Sequence, residues 1–393
     1  MVQSALSPYA RQVLGRPATS VTPSALTRSI GAKRHWPAGP AMPRAIATSG
    51  RYTEIVRVLV IGGTQFVGRH IVEAALAVGD QITLFHRGQT NPGLFPEAEH
   101  RLGDRDGDLF ALGTGEWDAT IDCSAYYPRQ VSRLAEALGG RGGRYVHISS
   151  VSAYRDDVPF GFSEDAPLAT LTDPTTEEVT AGTYGGLKAL CELAAQRQFG
   201  AAAGESERSG RVAVPVCVVR PTYVVGPYDH TGRFTWWVER IARGGRVLAP
   251  GPAGNPFQII DARDLAAFVV RLSHGDATGT FHTCWPAPPF SFGEFLQLLV
   301  EVVGPPGCEL VWAEPGWLTA AGLTERHLPL WAGSGPGLNL MAADPSRALA
   351  AWLAPRPLAE TVEQTHRHQQ DQPISLPVGL APEREEELLA QLG

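Results

Sequence analysis

The chain all but lacks lysine. Of its 33 basic residues only Lys33 and Lys188 are lysines; every other one is arginine. A lysine kept where arginine serves everywhere else marks a position that needs a compact ammonium rather than a planar fork. Long apolar runs are missing too, and no stretch approaches the roughly 20 residues of a membrane span. The five cysteines, Cys123, Cys191, Cys217, Cys284 and Cys308, share no paired spacing. That argues against a disulfide framework or a metal centre and for reduced thiols in a cytoplasm, mostly as small buried hydrophobes. His366 and His368, in HRHQQDQ, read as a solvated polar stretch rather than as ligands. A basic excess is absent: the net charge is −7, so nothing global draws the protein to nucleic acid or to an anionic membrane. No acid precedes Glu54. Residues 1–52 are rich in Ser, Pro, Ala and Arg, a composition that overlaps with transit peptides. They carry no apolar core for a secretory signal and read most simply as a disordered extension, or as sequence upstream of a start at Met42.

What remains is ordinary for a globular enzyme. The 393 residues, 44% hydrophobic and 19% charged, suffice for two domains. From Glu54 onward, short apolar runs alternate with segments of helical periodicity. IVRVLVIGG, QITLFHRG, WDATIDCSA and RYVHISSVSAY read as strands, and VAVPVCVVRPTYVVGP as a further one. FVGRHIVEAALAVGD, VSRLAEALGG and TYGGLKALCELAAQRQF read as helices. This alternation predicts an α/β chain with a Rossmann-type doubly wound parallel sheet. Residues 53–226 are expected to form the main domain, with 257–285 returning to it, and residues 227–256 and 286–393 a smaller mixed C-terminal part. The terminal helix PEREEELLAQL reads as a solvated charge run.

The loop GGTQFVG, comprising Gly62, Gly63, Thr64, Gln65, Phe66, Val67 and Gly68, falls between the first strand and the first helix. Glycine there permits a tight turn with free amides and close helix packing, and the helix N-terminus suits a pyrophosphate. Gln65 stands where the usual fingerprint has its middle glycine. NAD-binding folds place an acid on the ribose hydroxyls at the end of the second strand. This chain has His86-Arg87-Gly88 there. No carboxylate repels a 2′-phosphate and Arg87 is available to bind one, so NADP is favoured over NAD.

Tyr184 and Lys188 are four apart on a helix and share a face. A cation beside the phenol would lower its pKa from about 10 and allow proton exchange with a substrate oxygen. Ser149 and Ser150 end the preceding strand and can hydrogen-bond a carbonyl.

The pieces VLVIGGTQFVGRH, GDRDGDL, YVHISSVSAY, YGGLK, VVRPTYVVGPYD and FQIIDARDLA occur in order between about residues 55 and 272. With them the chain resembles the extended and atypical short-chain dehydrogenase/reductase family, the NAD-dependent epimerase/dehydratase group. SRALAAWLAPRPLAETV and the acidic terminal helix extend the resemblance nearly to Gly393. The resemblance implies Tyr184 as proton donor or acceptor, Lys188 as its partner and as a ribose ligand, and Ser150 as the group that polarises the substrate oxygen. It also implies an NAD(P)-binding main domain and a substrate-binding C-terminal part, with Asp104 at the adenine, Ser124 and Ala125 along the cofactor, and Pro221, Thr222 and Tyr223 beside the nicotinamide. The expected activity is hydride transfer to or from a carbonyl or secondary alcohol of a small metabolite by a monomer or homodimer, with no nucleic-acid or membrane partner. FTWW with Tyr126, Tyr127 and Tyr228 would supply a flat wall for a ring-bearing substrate, and FSEDAPLATLTDPTTEEV a cover. One alternative is a nucleotide-sugar epimerase or dehydratase with bound NAD. The other is an RNA-associated relative without redox function, against which the acidic balance and the intact Ser, Tyr and Lys argue.

Overall fold

Val58 and Val60 pack into one hydrophobic cluster while Leu59 and Ile61 pack into another, and all four are buried. This is the period-two alternation of a strand covered on both faces, and it recurs across the sheet to which β1 (Arg57–Ile61) belongs. The computed structural model describes residues 54–200 and 213–392. The expected extension at residues 1–52 lies outside them.

In chain order, β1 is followed by α1 (Phe66–Ala77), β2 (Gln81–His86), β3 (Glu99–Leu102), β4 (Ala119–Asp122), α2 (Pro128–Leu138), β5 (Arg144–Ile148), α3 (Tyr184–Gln198) and β6 (Val216–Pro221). Next come β7 (Tyr223–Val225), α4 (Arg233–Ala242), β8 (Arg246–Pro250), β9 (Pro256–Asp261), α5 (Ala262–His274), β10 (Gly279–Thr283), β11 (Trp285–Ser291) and α6 (Phe292–Val303). The chain closes with β12 (Glu309–Ala313), α7 (Pro315–Ala320), α8 (Ser346–Ala350), α9 (Leu358–Asp371) and α10 (Pro382–Gln391).

Seven parallel strands form the large sheet in the order β10-β6-β5-β4-β1-β2-β3. Helices α1 and α5 pack together over the Val58 and Val60 face, and α2 and α3 over the Leu59 and Ile61 face. The order reverses between β1 and β4, and the crevice at their carboxyl ends is where such sheets bind ligands.

The long apolar run before Gly226 is not one strand. β6 stays in the large sheet, whereas β7 joins a second sheet of order β11-β9-β7. Pro221 has no amide hydrogen to extend the ladder, and pairing with β10 ends there. Of the returning segment 257–285, α5 and β10 join the large sheet, while β9 lies in the small one. Asp261 caps α5, accepting from the Arg263 amide at 2.8 Å.

Two stretches that read as solvated are tied down. Glu385 on α10 is buried, accepting from Arg240 Nε at 2.5 Å and from the Leu248 amide at 3.0 Å. His366 Nδ1 lies 2.8 Å from Glu239, and the His368 ring lies 4.2 Å from that of Tyr228. FTWW is core rather than a wall: Phe234, Trp236 and Trp237 are buried, and the Trp237 indole donates to the Pro329 carbonyl. All five cysteines are free. Among the described residues no helix is long and apolar enough to cross a membrane, and no acid, His or Cys cluster could hold a metal ion.

Candidate active site

The loop from β1 to α1 is shaped by two glycines. Gly63 has φ +93°, and a Cβ there would sit 2.9 Å from a Leu84 methyl. A Cβ on Gly68 would lie 2.8 Å from the Gly63 nitrogen, so any side chain would push α1 off the loop. Gln65 precedes the helix in an extended conformation, and its side chain makes no capping bond. The first-turn amides of α1 are therefore free to meet an anion, with no acid in that turn to oppose it.

This loop forms one wall of a cavity of about 460 Å³. Of the residues expected to bind cofactor, Gly62 to Gly68, Arg87, Asp104 and Ser124 line it, whereas Ala125, Lys188, Pro221, Thr222 and Tyr223 do not. Arg105, Tyr126, Tyr127, Gln130 and His230 also line it, the His230 ring 6.2 Å from that of Phe66 in the glycine loop. Arg105 is the main residue that sequence reading missed. Its guanidinium donates to both oxygens of the fully buried Asp122, at 2.7 and 2.9 Å, and to Ser124 Oγ at 2.9 Å. Tyr145 OH adds a bond to the same carboxylate at 2.9 Å. Burial opposes the Asp122 charge, but the charge and hydrogen bonds of Arg105 outweigh it and hold the carboxyl well below the usual range. GDRDGD signals acid, yet its arginine is the residue that turns inward.

β5 ends at Ile148 and delivers two serines with different roles. Ser149 is buried and donates to Glu192. Ser150 is half-buried and accepts at 3.1 Å from the Ser152 amide, capping a short 3-10 turn. Tyr184, the first residue of α3, stands near Ser150, whose hydroxyl favours its phenolate. Gly185 makes this possible, because a Cβ there would fall 2.1 Å from the Ser152 carbonyl oxygen. The YGG signal is thus a close approach of helix to turn.

Lys188 is buried, and its ammonium donates to the carbonyls of Ala125 at 3.0 Å and Ile148 at 2.8 Å. Burial lowers its pKa. The expected depression of the Tyr184 pKa by Lys188 is not found. Burial pushes the phenol above its ordinary value, Ser150 and the charge of Arg233 partly oppose this, and Lys188 is not among the charges acting on it. The lysine ammonium is instead committed to carbonyls of Ala125 and Ile148. Arg233, on the first turn of α4, lies over the Tyr223 ring at 5.2 Å. Tyr126 joins the two halves of the site, its ring 6.5 Å from that of Tyr184 and 5.5 Å from Lys188 Nζ. At the rim, Arg129 holds Glu177 of the expected cover by two bonds of 2.7 and 2.8 Å.

The residues present fit a dinucleotide. The uncapped first turn of α1 faces the cavity, and Arg105, on its wall, has its Nε buried without a partner.

The chain is similar to known proteins. A curated Arabidopsis thaliana protein, chloroplast stem-loop binding protein of 41 kDa b, is 24% identical over 277 residues. The match covers 66% of each, so the chain spans just under two thirds of that protein's length. Bordetella bronchiseptica WbmH, solved with NAD+, is 19% identical with a TM-score of 0.58, covering 81% of this chain and all of its own. A UDP-N-acetylglucosamine 4-epimerase from Methanobrevibacter ruminantium, solved with UDP-N-acetylmuramic acid, is 15% identical with a TM-score of 0.61, covering 81% of this chain and 99% of its own. Residues 58–282 match the model of the NAD dependent epimerase/dehydratase family. With the parallel sheet and the glycine cradle at its switch point, the chain belongs to that family.

Proposed function

We propose that the protein is an NAD(P)-dependent oxidoreductase acting on a carbonyl or secondary alcohol of a small metabolite. The observation that carries this reading is the Ser150–Tyr184 pair set one aromatic ring, Tyr126, from a glycine-cradled cavity. Gly62 to Gly68 and the first turn of α1 would hold the diphosphate, Asp104 the adenine side, Ser124 and Ala125 the inner wall. Pro221, Thr222 and Tyr223 would flank the nicotinamide. When bound, the dinucleotide supplies the hydride donor or acceptor.

Ser150 orients and polarises the substrate oxygen. Tyr184 holds the proton that this oxygen gains or loses, and its raised pKa keeps it protonated near neutral pH, ready to donate. The charge of Arg233 stabilises the phenolate left behind. Lys188 fixes the strand ends around the reacting groups. Arg87, exposed at the cavity wall, favours a 2′-phosphorylated dinucleotide. The five free thiols support a reducing compartment such as the cytoplasm.

The same residues would serve a nucleotide-sugar epimerase or dehydratase, a reading favoured by similar folds solved with NAD or with a nucleotide sugar. The likeness to a stem-loop binding protein favours an RNA-associated role, against which the net charge of −7 argues. One experiment separates them. The purified protein is given NAD and NADP separately, the retained species is identified by mass spectrometry, and turnover of carbonyl substrates with NADPH is followed. Free exchange with NADPH and net oxidation supports the oxidoreductase. Tightly held NAD that is unchanged after turnover favours the epimerase. Failure to bind either dinucleotide overturns both.

A further inference from the structure

His86 stands where dinucleotide-binding folds place the ribose-binding acid, at the end of β2 and on the cavity wall. Both of its nitrogens are already used. The Gly88 amide donates to His86 Nδ1 at 3.1 Å, and His86 Nε2 lies 2.8 Å from His100 Nδ1. His100 Nε2 in turn lies 3.0 Å from the Phe95 carbonyl oxygen. The protons can be placed by chemistry. An amide N–H can only donate, so His86 Nδ1 is bare and Nε2 carries the hydrogen. That hydrogen points at His100 Nδ1, which is bare, and His100 Nε2–H donates to a carbonyl that can only accept. With both rings neutral every group in the chain is matched.

The relay holds a turn. Gly88 has φ +71°, and a few residues on Asn91 Nδ2 donates to the Thr64 carbonyl at 2.9 Å. The loop after β2 is thus pinned at Gly88 to the histidines and at Asn91 to the glycine loop. Arg87 lies next to Gly88, exposed, and makes no ion pair among the described residues. The other charges on the surrounding elements are the exposed Glu97 before β3, Glu99 and Arg101 on β3, which pair with each other, and Asp104, Arg105 and Asp106 beyond it.

We propose that the His86–His100 pair is the positioning element for dinucleotide selection: it fixes the Gly88 turn, aims Arg87 at the 2′ position of the adenosine ribose, and releases that turn when His86 takes a second proton. The proposal rests on the reading of Arg87 as a 2′-phosphate ligand. A further proton has no place in the relay. On His86 Nδ1 it would face the Gly88 N–H, and on His100 Nδ1 it would face the His86 Nε2–H. Burial, and then the neighbouring His100, already disfavour the charged form of His86. His86 offers the ribose no hydrogen bond, so the preference lies with Arg87.

The test measures affinities of the full chain for NADP and NAD between about pH 8 and pH 5, where histidine and the 2′-phosphate both titrate. His86→Asn keeps an acceptor at the Nδ1 position without a titratable ring, so its profile lacks any contribution from His86. At the alkaline end His86→Asn should keep the selectivity for NADP within about threefold, while His86→Leu should lose at least about tenfold, as should Arg87→Ala. On acidification the wild-type selectivity should fall more steeply than that of His86→Asn. Parallel profiles for these two overturn the proposal, as does full selectivity in folded His86→Leu protein. If His86→Leu does not fold, the comparison of profiles decides alone. Unchanged selectivity in Arg87→Ala removes the underlying reading of Arg87 and the proposal with it, and the histidine variants alone would not produce that result.

Discussion

The ammonium of Lys188 donates to the carbonyl oxygen of Ile148 at 2.8 Å, one residue before the serine pair at the end of β5. Its second bond, to Ala125, reaches the segment after β4. One compact cation on α3 therefore ties together the segment after β4 and the end of β5 that leads into Ser149 and Ser150. Arginine would need more room at a side chain that is only 5% exposed. Lys188→Arg is expected to lower turnover by at least ~10²-fold while the fold survives. Tyr184→Phe should fall comparably, and the double variant should lose much less than the product of the single losses. Single-turnover kinetics on an identified carbonyl substrate, with circular dichroism as folding control, make the measurement. Near-normal turnover in folded Lys188→Arg would refute the assignment.

Gly185→Ala should separate position from stability. Alanine is the better helix former by about 1 kcal/mol, so α3 itself gains. The added Cβ, however, falls on the Ser152 carbonyl oxygen and must push the helix from the turn that carries Ser150. Turnover is expected to drop at least ~10-fold with a modest change in Tm, because a small misplacement of a positioned acid is expensive. A variant that keeps full activity would show that the Tyr184–Ser150 contact is not needed.

Glu385→Ala should destabilise the protein although it lies on a charged terminal helix. The substitution leaves the Arg240 guanidinium buried without its carboxylate and the Leu248 amide without its acceptor. Breaking one side of a buried pair costs about 3–5 kcal/mol. Urea unfolding gives the number. A change below about 0.5 kcal/mol, the size expected of a surface site, would mean that the helix is solvated after all.

His147 should make the protein weaker in acid. It is fully buried on β5, and both ring nitrogens lack partners. Burial, and then the charge of Lys188, lower its pKa from 6.5 to about 3, against a partial opposing effect of Asp122. Between those values the unfolded chain binds the proton and the folded chain does not, so stability rises with pH across the window and falls as pH drops. The contribution is at most about 1.4 kcal/mol per pH unit. His147→Leu removes both the slope and two unmatched polar atoms, and should raise stability at about pH 5 by ~1–2 kcal/mol. Parallel stability profiles for wild type and variant would exclude His147 as the source.

Much of this protein was determined by its sequence alone, and for a local reason. Strand periodicity, the glycine turn before α1, and the four-residue spacing of Tyr184 and Lys188 all act within a few bonds of backbone, where steric rules operate whatever the surroundings. They sufficed for the α/β class, the family resemblance, and the glycine loop that lines the cavity. Tertiary structure decided what depends on partners far along the chain. Glu385 looks like a surface charge until Arg240, 145 positions away, meets it in the interior. Arg105 acquires its role from Asp122, and the histidines of the relay are matched only because β3 lies beside β2. The Tyr184 phenol shows the limit most plainly. Helical spacing places a lysine on its face, but carbonyls of β5 and of the segment after β4 capture that lysine, and burial raises the pKa that the spacing was expected to lower.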